Sequence, residues 1–218
     1  MKSRSMRIAV YGVAVLILAA TAILYPNLPD KIPMHWGFDN TVRYDGKSGI
    51  WGIACMALVF AVLFDLMPKI DPRKKNYEKF GSYYDGFCLF MQLFILVMWG
   101  IIMIETYRPG TISVGKSVTV LCGVLFLFIG NMLPKAKSNF YLGIKTPWTL
   151  SDDDIWRRAN RLGGKMMFAA GAVSIAAAFV LSGNYLATVF FIIIMAACTI
   201  PCIMSYIWWR RKENGREM

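Results

Sequence analysis

The sequence predicts an all-α integral membrane protein with six transmembrane helices and both termini in the cytoplasm. Three observations carry this. Hydrophobic residues make up 57% of the 218 positions and charged residues only 17%, against roughly 25% charged in a soluble domain. The apolar residues gather in six long runs rather than in short amphipathic stretches. Finally, of the 24 Lys and Arg, 19 fall in the polar segments of one side. That asymmetry places those segments in the cytoplasm.

The spans read as Ile8–Tyr25, Ile50–Met67, Gly86–Ile104, Ser117–Leu133, Met166–Leu181 and Tyr185–Trp208. Crossing a core ~30 Å thick at 1.5 Å per residue takes roughly 17–25 apolar residues. The basic start of the first run and Ala20-Thr21-Ala22 loosely resemble a signal peptide, but the run is long for one, so a retained helix is expected. Gly86–Ile104 and Ser117–Leu133 are joined by a loop with two basic residues. The tight Ser182–Asn184 connection makes the last two helices antiparallel neighbours, and Pro201 is expected to kink the last. Two units follow: residues 1–85 with two spans and 86–218 with four.

The net charge of +11 is accounted for by this distribution. Its expected partners are anionic headgroups of the bacterial plasma membrane, not nucleic acid. All five cysteines, Cys55, Cys88, Cys122, Cys198 and Cys202, lie within spans, so neither a disulfide framework nor a zinc site is expected. Asp65 and Glu105 sit near span ends, where water is in reach. No HExxH, GxSxG or P-loop motif is present. The reading is a non-enzyme without metal or cofactor.

Three loops carry the remaining information. The outer loop after the first span has Pro26, Pro29 and Pro33, which force an extended or turning chain. His35, Trp36, Asp39, Arg43, Asp45 and Lys47 follow as candidate ligand contacts. His35 either titrates or ligates, or it simply neighbours a Trp anchored at the interface. The loop after the second span carries Lys69, Arg73, Lys74, Lys75 and Lys79, suited to headgroups. Its Tyr77, Phe80, Tyr83 and Tyr84 recur at helical spacing, which predicts an amphipathic surface helix.

The cytoplasmic loop before the fifth span is the densest. Pro134 closes the fourth span. Ser151 is the expected N-cap of a short interfacial helix, with Asp154 completing a capping-box-like pair. Asp153–Arg157 and Asp154–Arg158 are spaced as ion pairs, and Ile155, Ala159, Leu162 and Trp156 form its apolar face. Gly163-Gly164 either ends the helix or allows close packing. The candidate partner face comprises Asn131, Pro134, Lys135, Lys137, Asn139, Gly143, Lys145, Thr146, Pro147, Trp148, Trp156, Arg157, Arg158, Arg161 and Gly163.

Three passages together resemble the SdpI family of bacterial toxin-immunity membrane proteins: LPDKIPMHWG, DPRKKNYEKF, and GNMLPKAKSNFYLGIKTPWTL with WRRANRLGG. The first is similar to the family's N-terminal domain of unknown function. Two departures stand out. Asn40 and Arg43 replace a Gly and an Asp that often follow the HW pair, and Asn160 stands where a His is common. The latter argues against importing His-dependent chemistry into that loop. The resemblance implies protection against a secreted extracellular peptide toxin, and signalling by holding a small cytoplasmic winged-helix repressor at the membrane. A small transporter or exporter of a peptide or envelope compound is the alternative. Against it, no span shows paired charges or a clear break.

Overall fold

A computed structural model describes residues 3–37 and 41–215. Asp39 and Asn40 lie outside the described residues. Among these, six helices are long and apolar enough to cross a membrane, and the chain is a multi-pass membrane protein. The first, α1 (Arg4–Leu24), is started by Ser3, whose hydroxyl accepts from the Met6 N–H. Pro26 sits in a single 3₁₀ turn that ends it. Strands β1 (Lys31–Trp36) and β2 (Val42–Gly46) then form an antiparallel hairpin. Helix α2 (Ile50–Ile70) returns, and α3 (Tyr77–Tyr107), α4 (Val114–Met132), the one-turn α5 (Pro147–Ser151), α6 (Asp153–Val180) and α7 (Gly183–Glu213) complete the chain. Pro201 lies inside α7, which continues past it.

Helices α1, α2 and α3 share one core. Val10, Ala14, Ala54, Ala61, Tyr84 and Ile95 are buried together there. Apolar burial gives little drive inside lipid, so packing and internal hydrogen bonds hold helices together. Gln92 of α3 donates to the Ala57 carbonyl of α2 at 2.8 Å. Trp99 of α3 donates to Thr21 of α1 at 2.9 Å. Tyr84 donates to the Phe64 carbonyl at 2.8 Å. Each places a polar group against a backbone or hydroxyl partner where water is scarce.

The α4–α6 contact works differently. A Cβ built on Gly130 would lie 2.7 Å from the Gly164 carbonyl oxygen, and one on Gly164 would lie 2.7 Å from that of Gly130. The two backbones touch, and only glycine admits this approach. The Gly-Gly pair therefore packs a continuous helix and does not end it.

Four expectations change here. The outer loop, expected only as extended or turning chain, is a paired β-hairpin. The helix after Ser151 starts one residue later and runs unbroken into the fifth span. Its N-cap is Asp152, which accepts from the N–H groups of Asp154 and Ile155, while Ser151 ends α5. The aromatic residues of the second loop turn inward: Tyr77, Phe80 and Tyr84 are buried and only Tyr83 is exposed. Helical spacing identified their face, but the face meets protein. Glu105 is likewise buried. It accepts the N–H groups of Gly110 (3.1 Å) and Ile112 (3.3 Å), organising the α3–α4 connection.

Candidate functional site

Polar residues concentrate at both ends of the bundle. One end holds the hairpin. The other holds the two chain ends, the α2–α3 connection and the α4–α5 loop. This second end is built around two buried side chains. Asn139 has no exposed surface. Its amide nitrogen donates to the carbonyls of Lys137 (2.7 Å) and Leu142 (2.8 Å), and its oxygen accepts from the N–H groups of Tyr141 (2.9 Å) and Leu142 (2.6 Å). One side chain thereby replaces the backbone partners that an irregular loop lacks.

Asp71, 2% exposed, ties this loop to the α2–α3 connection. It accepts from the Phe140 N–H at 2.9 Å and the Arg73 N–H at 2.7 Å. The Tyr77 hydroxyl lies 3.1 Å from Asp71 and 3.3 Å from Asn139 Oδ1. The Arg73 guanidinium donates to the Ser138 hydroxyl and, at 2.6 Å, to the Leu150 carbonyl. It also lies over the Phe140 ring. Arg73 is thus a staple between loops, where the sequence reading assigned it to headgroups. Asn76 adds a bond to the Ser138 carbonyl at 2.7 Å.

The TPW turn and the WRRAN segment close the structure. Thr146 and Thr149 cap α5 reciprocally, and the Thr146 hydroxyl reaches Ser205 of α7 at 3.1 Å. Trp156, 1% exposed, donates from its indole to the Ala136 carbonyl at 2.9 Å. Asn160 accepts from the Ile144 N–H at 2.9 Å. Gly143 has φ of +130°, and a Cβ there would sit 2.7 Å from the Trp156 ring. Glycine is required at this position both by backbone geometry and by space.

The expected partner face therefore divides. Asn139, Thr146, Trp156 and Gly163 are buried, and Gly143, Trp148 and Arg158 are partly so. Asn131, Pro134, Lys135, Lys137, Lys145, Pro147, Arg157 and Arg161 are exposed. Lys145 is tied to the Phe140 and Tyr141 carbonyls, and Lys135 lies over the Tyr83 ring. Trp148 packs with Tyr206 and Trp209 of α7. Asp154 pairs with both Arg157 (3.0 Å) and Arg158 (3.3 Å), while Asp153 lies 3.9 Å from Arg73. Asp152 meets Lys212 of α7. Burial opposes ionisation of Asp152, but the Lys212 ammonium and two backbone N–H groups outweigh it and hold its carboxyl below the ordinary value. Between the α2–α3 connection and the α5–α6 junction lies an open groove of about 680 Å³, rimmed by Arg73, Lys74, Lys75, Leu150 and Asp153.

Asp71, Arg73, Asn76 and Tyr77 were not in the expected face. Their signal was present as the DPRKKNY passage, but spacing alone does not tell a lipid surface from a neighbouring loop.

At the hairpin end, His35 Nδ1 and Asp45 Oδ2 are 2.9 Å apart, with side chains 60% and 45% exposed. His35 sits opposite Arg43 across the strands. Lys47 instead faces inward, donating to the Leu28 carbonyl at 3.3 Å and lying 3.5 Å from Asp30. The hairpin rests on a small core of Leu28, Ile32, Ile50, Ile102 and Met103. Ile32 and Pro33 are buried while Lys31 and His35 are exposed, with the register irregular between Pro33 and His35. The irregularity offsets the alternation, so Trp36 reaches this core as a partly buried ring.

Residues 135–207, which include most of the second end, match the SdpI/YfhL protein family. Residues 12–58, including the hairpin, match a domain of unknown function, DUF1648. The chain is 24% identical over 195 residues to Immunity protein SdpI of Bacillus subtilis (strain 168), covering 89% of this chain and 91% of that protein. A second relative, Uncharacterized protein YfhL of the same organism, is 29% identical over 92 residues, or 42% of this chain and 79% of that protein. No solved structure matches. The family-matched residues begin at Lys135, so they contain the buried Asn139 and Trp156 around which the second end is built.

Proposed function

We propose that this chain is a membrane immunity protein that protects a bacterium against a secreted peptide toxin. The observation that carries this reading is similarity to an immunity protein along nine-tenths of both chains. The hairpin end faces the outside and meets the toxin through His35, Trp36, Arg43 and Asp45. The second end, rich in Lys and Arg, faces the cytoplasm. Binding, not catalysis, is its mode of action. Expression in a toxin-sensitive host tests the reading. Survival of toxin challenge is expected, and normal killing at confirmed membrane levels overturns it.

The orientation is tested separately. A membrane-impermeant maleimide labels Val42→Cys in intact cells and Lys137→Cys only after lysis. The reverse pattern inverts the assignment of the two ends.

The cytoplasmic end is also proposed as a receiver of a small winged-helix repressor when toxin is bound. The folded α4–α5 loop and the groove beside Arg73 support this, because they present a shaped surface rather than a mobile tail. Coupling requires toxin and repressor to favour the same helix arrangement. Toxin-dependent recovery of the repressor in membrane fractions is the expected result. Recovery independent of toxin overturns the coupling.

A further inference from the structure

A cavity of about 370 Å³ lies under the hairpin, between α3, α4 and α7. Its body is apolar: Met34, Met98, Ile102, Val118, Leu186 and Phe190 are among its walls. Its polar lining comprises the hydroxyl residues Ser113, Thr119 and Ser182, two helix starts and one ammonium, with the Thr119 proton donated to the Gly115 carbonyl. The first turns of α4 (Ser113 to Lys116) and of α7 (Ser182, Gly183) both border it. Neither helix has a side-chain cap, so both bring unsatisfied N–H groups and a partial positive charge. Lys116 is the one ionisable lining side chain among the described residues. The Trp36 indole nitrogen is buried without an acceptor among the described residues, and its ring lines the same space.

We propose that this cavity binds the chain of a single-chain amphiphile with an anionic head, of the fatty-acid class. Charge complementarity selects the head. Two helix N-termini and the Lys116 ammonium border this one cavity and favour an acceptor carrying negative charge. The apolar walls select the tail. A peptide entering the cavity brings an N–H and a C=O with every residue, and these walls leave them unpaired at high cost. An alkyl chain brings none. The volume is near the lower bound for ligand pockets, roughly 300–1,000 Å³, which suits one chain rather than a diacyl lipid. The site is independent of the immunity reading and stands or falls by itself.

Brominated stearic acid tests the proposal on the full chain in zwitterionic nanodiscs, by quenching of tryptophan fluorescence. Saturable quenching is expected, with a component absent from Trp36→Phe. The brominated methyl ester is expected to bind roughly tenfold more weakly, and Lys116→Gln to weaken the acid by a similar factor. Ala187→Phe, which fills the cavity, should abolish the Trp36 component. Lys116 lies at the start of α4, so its variant keeps the test valid if Ala187→Phe fails to fold. Equal affinity for acid and ester, an unaltered response in Lys116→Gln, or displacement by a free-acid oligoleucine peptide but not by stearic acid each overturns the assignment.

Discussion

The two polar ends of this molecule use their side chains in opposite ways. At the α4–α5 end, the conspicuous polar residues are consumed internally: Asn139, Asp71 and Asn160 are buried and bonded to backbone groups. At the hairpin end, His35, Arg43 and much of Asp45 remain exposed. Yet the hairpin roofs a cavity bordered by Trp36 and by the first turns of α4 and α7. A dense signature in sequence is thus no guide to a contact surface. The denser of these two mostly builds a scaffold, and the sparser one leaves its chemistry available.

This contrast predicts unequal responses to mutation. The largest belongs to Asn139→Leu, which strips partners from two N–H groups and two carbonyls. Each buried group left unpaired costs about 1–3 kcal/mol, so the loop and its junction with Asp71 should unfold locally. Rapid proteolysis between Phe140 and Trp148 and a marked fall in Tm are the expected signs. Gly143→Val follows, at roughly 2–4 kcal/mol, from a strained backbone and a clash with Trp156. A Tm within a degree or two of wild type in both variants would erase the distinction between the ends.

How much of this was legible in the sequence depends on which neighbours decide it. The six spans follow from apolar runs and local length, and the helices contain them but for one C-terminal residue in the first, fourth and fifth. The Lys and Arg asymmetry likewise needs only a count. The fate of Arg73 and Tyr77 needed a partner, because a basic or aromatic face is the same in sequence whether it meets headgroups or the Ser138–Phe140 loop. The hairpin was missed because Pro26 and Pro29 crowd the approach to it, Pro33 lies within its first strand, and the irregular register between Pro33 and His35 breaks the alternation that marks a strand. The cap moved from Ser151 to Asp152 because Thr146 and Thr149 close α5 first, which carries Ser151 into that turn.

A smaller effect separates charge from shape within the scaffold end. The carboxyl of Asp152 is held below its ordinary value, so its contribution is present above the unfolded value of about 3.8 and is lost as pH falls through the lower folded one. Asp152→Asn preserves the cap on α6 but removes the charge opposite Lys212. The expected loss is below ~1 kcal/mol near neutral pH, because Lys212 is half exposed. Wild type and variant should converge in Tm as pH falls below the folded value of Asp152, itself under 3.8. A difference that persists there would assign the effect to packing instead.

The smallest stability effect is expected where the proposed function is most exposed. His35→Ala and Asp45→Asn each break only a solvent-facing pair at 2.9 Å, and such pairs contribute about 0–1 kcal/mol. Thermal unfolding should shift by no more than a degree or two. Toxin protection provides the opposing measurement. Arg43→Glu together with Asp45→Lys reverses the charge pattern of the outward strand while leaving Ile32, Pro33 and the core beneath it untouched. Under the immunity reading this double variant reaches the membrane at normal levels, unfolds normally and protects poorly, because mismatched charges penalise encounter with a partner. Full protection would remove the strand from the toxin contact, and an unfolded protein would show that this end, too, uses its charges as scaffold.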